Sequence, residues 1–144
     1  LLLMITVVMG QSVLAADKKP LIADPIVEKA IRKSLKKPTG ELTKTDLNRV
    51  TSLDLEGKGL QDITVLAPLR NLTRLDLSAN RQLTDIKTLA GLSKLEDLNL
   101  ELTKINDISP ILGLKRLTRL EIDHCKNLTE DDVSKIRKRC RNAA

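Results

Sequence analysis

Between residues 50 and 128 the apolar positions of the chain recur with a long period. Leu53, Leu75, Leu98 and Leu120 are spaced by 22, 23 and 22 residues, and Leu55, Leu77, Leu100 and Ile122 repeat the same intervals. The units read "VTSLDLEGKGLQDITVLAPLRN", "LTRLDLSANRQLTDIKTLAGLSK", "LEDLNLELTKINDISPILGLKR" and "LTRLEIDHCKNLTEDDVSKIRK". Apolar residues at the fourth and sixth positions of a unit alternate as in a short strand, so both point inward and the residue between them points out. The ninth position ends the strand and turns inward, where a polar group can satisfy amides of the bend that would otherwise be buried unpaired. Asn80 suits that place, Thr103 and Cys125 are small substitutes, and Lys58 in the first unit departs from the pattern, predicting a looser or partly covered first turn. Asp62, Asp85 and Asp107 each precede an isoleucine, where the carboxylate can accept from nearby amides and start a short helical or 3₁₀ turn on the convex side.

The flanks read as helices that hide the open ends of such a stack. "DPIVEKAIRKSLKK", residues 24–37, opens with Asp24 at the N-cap and Pro25 at the first helical position. Ile26, Val27, Ala30, Ile31 and Leu35 then fall on one face, and "PTG" ends the helix. A short second helix is predicted around "TKTDLNRV". At the other end Thr129 stands three residues before Asp132, a capping-box arrangement that opens "LTEDDVSKIRKRC".

Four copies at this period match the leucine-rich-repeat signature. The expected fold is therefore an α/β repeat: a solenoid of about four repeats, short parallel strands on the concave face, an N-terminal helical cap and a C-terminal capping helix. Leu at the first, fourth and sixth positions, Asn at the ninth and a closing "D-I-x-x-L-x-x-L" resemble the internalin-type repeats of exported bacterial proteins. Residues 24–37 and the short helix after them resemble the helical cap of that family. The likeness spans residues 24 to about 128, the last unit being closer to cysteine-containing repeats. It implies a non-catalytic module that binds another protein through its concave strand face.

Composition sharpens this picture at a few points. There is no Phe, Trp or Tyr, so the core must be built from Leu, Ile, Val and Ala, and the residues that most often anchor tight interfaces are missing. Residues 1–16 carry no charge, but Gly10, Gln11 and Ser12 interrupt them short of the roughly 20 apolar residues of a membrane span. They read as a secretory signal with Val13 and Ala15 at the cleavage site. The expected organisation is thus a signal at 1–15, a linker and helical cap at 16–49, repeats at 50–128 and a capping helix with a basic tail at 129–144. The mature chain is expected to be secreted, periplasmic or at the cell surface, without a membrane span. In such a compartment Cys125 and Cys140 can pair; the competing reading is one buried free thiol and one exposed near the C terminus.

Candidate chemistry is sparse. His124 neighbours Cys125, but the two should diverge, one outward and one inward, so no catalytic pair is assigned. One His and two scattered Cys give no metal site, and no cofactor is implied. "NLT" at 71 and 127 is a glycosylation sequon falling at equivalent joints of the repeat, which repeat chemistry explains as well. The outward strand positions carry more information. They include Asp54, Glu56, Asp76, Glu96, Asp97, Glu101, Glu121 and Asp123 against Arg74 and Arg119, with Asn99 among them. That leaves the face at −6 on a chain whose total is +6, the surplus of bases lying toward the two ends. Such a face fits a protein partner with a basic surface segment, although charge also keeps an open sheet soluble. Absent aromatic interleaving argues against nucleic acid. A monomer is expected; the alternatives are a scaffold that self-associates through its end caps and a cytosolic regulatory subunit of the same repeat type.

Overall fold

The computed structural model describes residues 19–141, with side chains to residue 138. The segment read as a secretory signal and the side chain of Cys140 lie outside the described residues. Four strands, β1 (Ser52–Asp54), β2 (Arg74–Asp76), β3 (Asp97–Asn99) and β4 (Arg119–Glu121), form one parallel sheet in chain order. The register pairs Leu53 with Leu75, Leu75 with Leu98 and Leu98 with Leu120, so equivalent positions of successive units lie side by side.

Each coil closes on a buried ladder. The fourth- and sixth-position leucines of the first three units are at most 2% exposed, and so are the first-position residues Val50, Leu72, Leu95 and Leu117. Leu66, Leu89 and Ile111 close the convex side of the same core. Aliphatic side chains stacked in register fill the interior without a ring, as the composition requires. The last coil is looser, with Leu120 and Ile122 only half-buried.

The aspartates ahead of the convex turns act as expected. Asp62, Asp85 and Asp107 each accept, at 2.8 Å, the amide two residues on, from Thr64, Lys87 and Ser109. They start the 3₁₀ turns Thr64–Leu66 and Lys87–Gly91 and the short helix α3 (Ser109–Leu112), the short Asp side chain reaching the amide two residues on. These bonds hold two of the carboxyls below their ordinary range: the Lys87 amide is the main cause for Asp85, and the Ser109 hydroxyl and amide for Asp107.

Helix α1 (Pro25–Leu35) is capped by Asp24, whose carboxylate accepts from the amides of Ile26 and Val27. Val27 and Ile31 are fully buried in the repeat core, and Ser34 Oγ donates to the Ser52 carbonyl at 2.8 Å on the otherwise open edge of β1. Ile26 corrects the sequence reading: it is 41% exposed, because its position on the helix turns it about 100° away from Val27. The helix stops at Lys36 in a left-handed C-cap, φ 53°, just ahead of "PTG".

Helix α2 (Lys44–Asn48) carries a capping box between Thr43 and Asp46. Lys37 Nζ reaches the same Asp46 carboxylate at 2.8 Å, tying the end of α1 to the start of α2. That ammonium, then the Thr43 amide and hydroxyl, hold Asp46 far below the usual carboxylate range. Since the folded carboxyl takes up a proton less readily than the unfolded one, its contribution is complete above about pH 4 and fades as the pH falls further. Wild type should therefore lose melting temperature more steeply than Asp46→Asn between pH 5 and pH 2.5; parallel curves would show that the bond does not stabilise the fold. Helix α4 (Glu130–Arg141) opens on the expected Thr129–Asp132 box, with the Thr129 amide and hydroxyl donating at 3.0 and 2.7 Å.

Candidate binding surface

All ten residues expected on the concave face lie on or just after a strand, but they do different jobs. The acid of the third-position column is neutralised within the column. Asp97 Oδ2 stands 3.5 Å from Arg74 Nε and 3.3 Å from Arg119 Nη1, one carboxylate shared by the guanidiniums of the coils above and below.

The fifth-position column is partly structural, which sequence reasoning missed. Asp54, Asp76 and Asn99 each turn an oxygen back onto the amide two residues on, from Glu56, Ser78 and Glu101, at 3.1, 2.8 and 2.9 Å. Asp76 also accepts from Ser78 Oγ at 2.6 Å and is half-buried. These caps steer the chain into a bend in which the eighth residue of every unit is left-handed: Gly57, Ala79, Leu102 and His124 have φ of 61°, 57°, 57° and 60°. Three of these four carry a side chain, so the Asx caps and the ladder must hold a conformation that costs a non-glycine residue about 1 kcal/mol or more. Of the fold's four bends only the first announces itself by a glycine.

Below the bend the ninth-position side chains bind the coils together. Asn80, fully buried, donates from Nδ2 to the Leu55 and Leu77 carbonyls at 3.0 and 2.7 Å and accepts the Leu60 amide at 2.9 Å. The second unit's asparagine thus supplies the first coil, which explains how Lys58 can stand exposed in the slot that Asn80 fills one coil later. Thr103 Oγ1 and Cys125 Sγ both donate to the Leu100 carbonyl, at 2.7 and 3.1 Å. Cys125 is a buried free thiol. His124 faces outward beside it, with Nδ1 3.3 Å from Glu101. The two sequon asparagines are likewise engaged: Asn71 donates to the Asn48 carbonyl at the end of α2, and Asn127 to the Lys104 carbonyl in the preceding coil.

What remains free on the face is a smaller set of acids. Glu56, Glu96, Glu121 and Asp123 are exposed and stand in no ion pair within the described residues. Glu121 holds the fifth position of the last unit, where the Asx cap of the other coils has a longer glutamate in its place. Among the described residues no group of three His, Cys, Asp or Glu side chains is placed to hold a metal ion, and no helix is long and apolar enough to cross a membrane.

Residues 70–126 match the family model for leucine-rich repeats. No curated protein matches the chain. Among solved structures, the internalin inlF of Listeria monocytogenes is 26% identical with a TM-score of 0.57, over 81% of this chain and 42% of that one. Internalin C2 of the same organism is 23% identical with a TM-score of 0.42, over 71% of this chain and 65% of that one. The chain therefore spans less than two thirds of the length of either structure. Sheet, register and family match define a leucine-rich-repeat solenoid, a class that serves as protein-interaction modules. Its fold is similar to that of the inlF structure, as expected from the resemblance of its repeats to the internalin type.

Proposed function

We propose that this chain is an exported, non-catalytic module that binds a protein with a cationic surface segment on its concave face. The observation that carries the reading is the set of acids without an ion pair among the described residues, Glu56 just after β1, Glu96 just before β3, Glu121 at the end of β4 and Asp123 just after it, while Asp97 is neutralised by its own arginines. A sheet kept soluble by charge alone gains nothing from concentrating one sign on the face and the other at the ends. A cationic partner relieves the repulsion and is steered to the face by it, so association weakens as salt rises. The uncharged, apolar residues 1–16 support export.

The test is capture of the partner from secreted and surface fractions of the source cell, followed by association kinetics at several salt concentrations. The double variant Glu56→Lys, Glu121→Lys should associate about tenfold more slowly or worse, with an unchanged far-UV spectrum. Asp76 is left intact because its reversal would break the Ser78 cap and confound the fold. Lys36→Glu with Arg137→Glu is the control on the helical ends. Loss of the partner in the control but not in the concave variant places the surface on the basic ends and ends this reading. Intact mass of the recovered chain should show a start near Ala16; a soluble cytoplasmic chain retaining residues 1–15 would refute export.

A further inference from the structure

Helix α1 and strand β1 enclose a groove of about 760 Å³ at the N-terminal end of the concave face. That is within the rough range of 300–1,000 Å³ for sites that hold small ligands or single side chains. Its apolar wall is Ile26 and Ala30, the side of α1 turned away from the buried Val27 and Ile31. Lys29 and Lys33 line the same side one helical turn apart, and Lys58 comes from the first bend, between Gly57 and Gly59 at φ 61° and 72°. Asp54 and Ser52 belong to both the groove and the concave sheet, so the two surfaces are continuous.

We propose that this groove is a second docking site, for a segment of the protein partner in which an apolar side chain adjoins a carboxylate. The inference rests on the reading that the partner lies on the concave face. Three ammonium-bearing side chains line this groove and none stands in an ion pair among the described residues, whereas Arg32 on the same helix is paired with Glu28 at 2.7 Å. Like charges one turn apart destabilise a helix, and the groove sets one carboxylate, Asp54, against the three amines of Lys29, Lys33 and Lys58. Nor does folding use Ile26, an aliphatic side chain left 41% exposed. A carboxylate beside a Leu- or Val-sized group answers both features at once. Inorganic phosphate would satisfy the amines and leave the apolar wall wet; a basic segment would be repelled. Charge then sets the direction of the bound segment. Its basic stretch lies over β2 to β4, and its acidic, apolar end enters beside α1.

The experiment is titration of the ¹⁵N-labelled full chain with four probes: the peptides acetyl-Leu-Glu-Leu-Glu-amide, its Gln and Lys counterparts, and phosphatidylglycerol vesicles. The Glu peptide should shift the amides of Ile26, Ala30 and Ser52 and bind at least fivefold more tightly than the Gln peptide. Lys29→Gln with Lys33→Gln, and separately Ile26→Asn, should each remove that preference while leaving the spectrum of the strands unchanged. Equal binding of the Lys peptide, shifts confined to β2–β4, or a response to vesicles alone would overturn the proposal. The two readings fail separately. Partner capture abolished by Glu56→Lys, Glu121→Lys with no response to the Glu peptide sinks the groove alone. A groove response with capture untouched by that variant sinks the concave reading alone.

Discussion

Asn80→Leu is expected to destabilise the fold by roughly 2–6 kcal/mol, from two or more buried groups orphaned at about 1–3 kcal/mol each. The volumes are close, so no cavity accounts for the loss. The Leu60 amide and the Leu55 and Leu77 carbonyls all depend on this one side chain. Water cannot replace it, because Asn80 is fully buried. Thr103→Val is the comparison. It removes a hydroxyl from the Leu100 carbonyl, but Cys125 Sγ still donates to that oxygen, so about 1 kcal/mol should be lost. Urea denaturation of both variants measures the difference. Equal losses would mean that Asn80 is one bond among many rather than the bracket between the first two coils. A domain of this size has only about 5–15 kcal/mol in hand, so the Asn80 variant should also be the one that expresses poorly.

The solenoid was legible in the sequence because its core is built from positions that repeat. Leu53, Leu75, Leu98 and Leu120 announce the register by spacing alone, and the structure pairs them accordingly. The Asp-Ile turns were legible for the same reason, a short-range contact recurring three times. What periodicity hid were the roles that change from coil to coil. Asn80 serves a carbonyl 25 residues back and thereby frees Lys58, a contact between units that no single unit displays. The left-handed eighth position was invisible at Ala79, Leu102 and His124, since only Gly57 carries the residue that such a φ favours. On the candidate surface, which residues face out was readable from alternation. Which of them are already spent was not. Asp76 and Glu121 occupy the same position of their units, yet one caps a bend with a short side chain and the other, one methylene longer, is exposed.

The register can be tested where the stack is tightest. Leu98 lies on β3 between Leu75 and Leu120 and is fully buried. Truncation to alanine removes three carbons from a place whose neighbours are held by hydrogen bonds on both sides, so the coils cannot close over the gap. The expected loss is about 2–5 kcal/mol. Leu120→Ala makes the same chemical change on β4, where the side chain is only half-buried. Less area returns to water and less cavity forms, so its loss should fall below that of Leu98. Glu96→Ala removes an exposed side chain just before β3 and should move stability by no more than about 0.5 kcal/mol. Thermal or urea melts of the three variants should therefore rank Leu98 above Leu120 above Glu96. A Leu120 variant as damaging as Leu98 would mean that the last coil is as closely packed as the middle of the stack, with α4 or a partner covering it. Equal, small effects at all three positions would instead place the strands out of register with the leucine ladder.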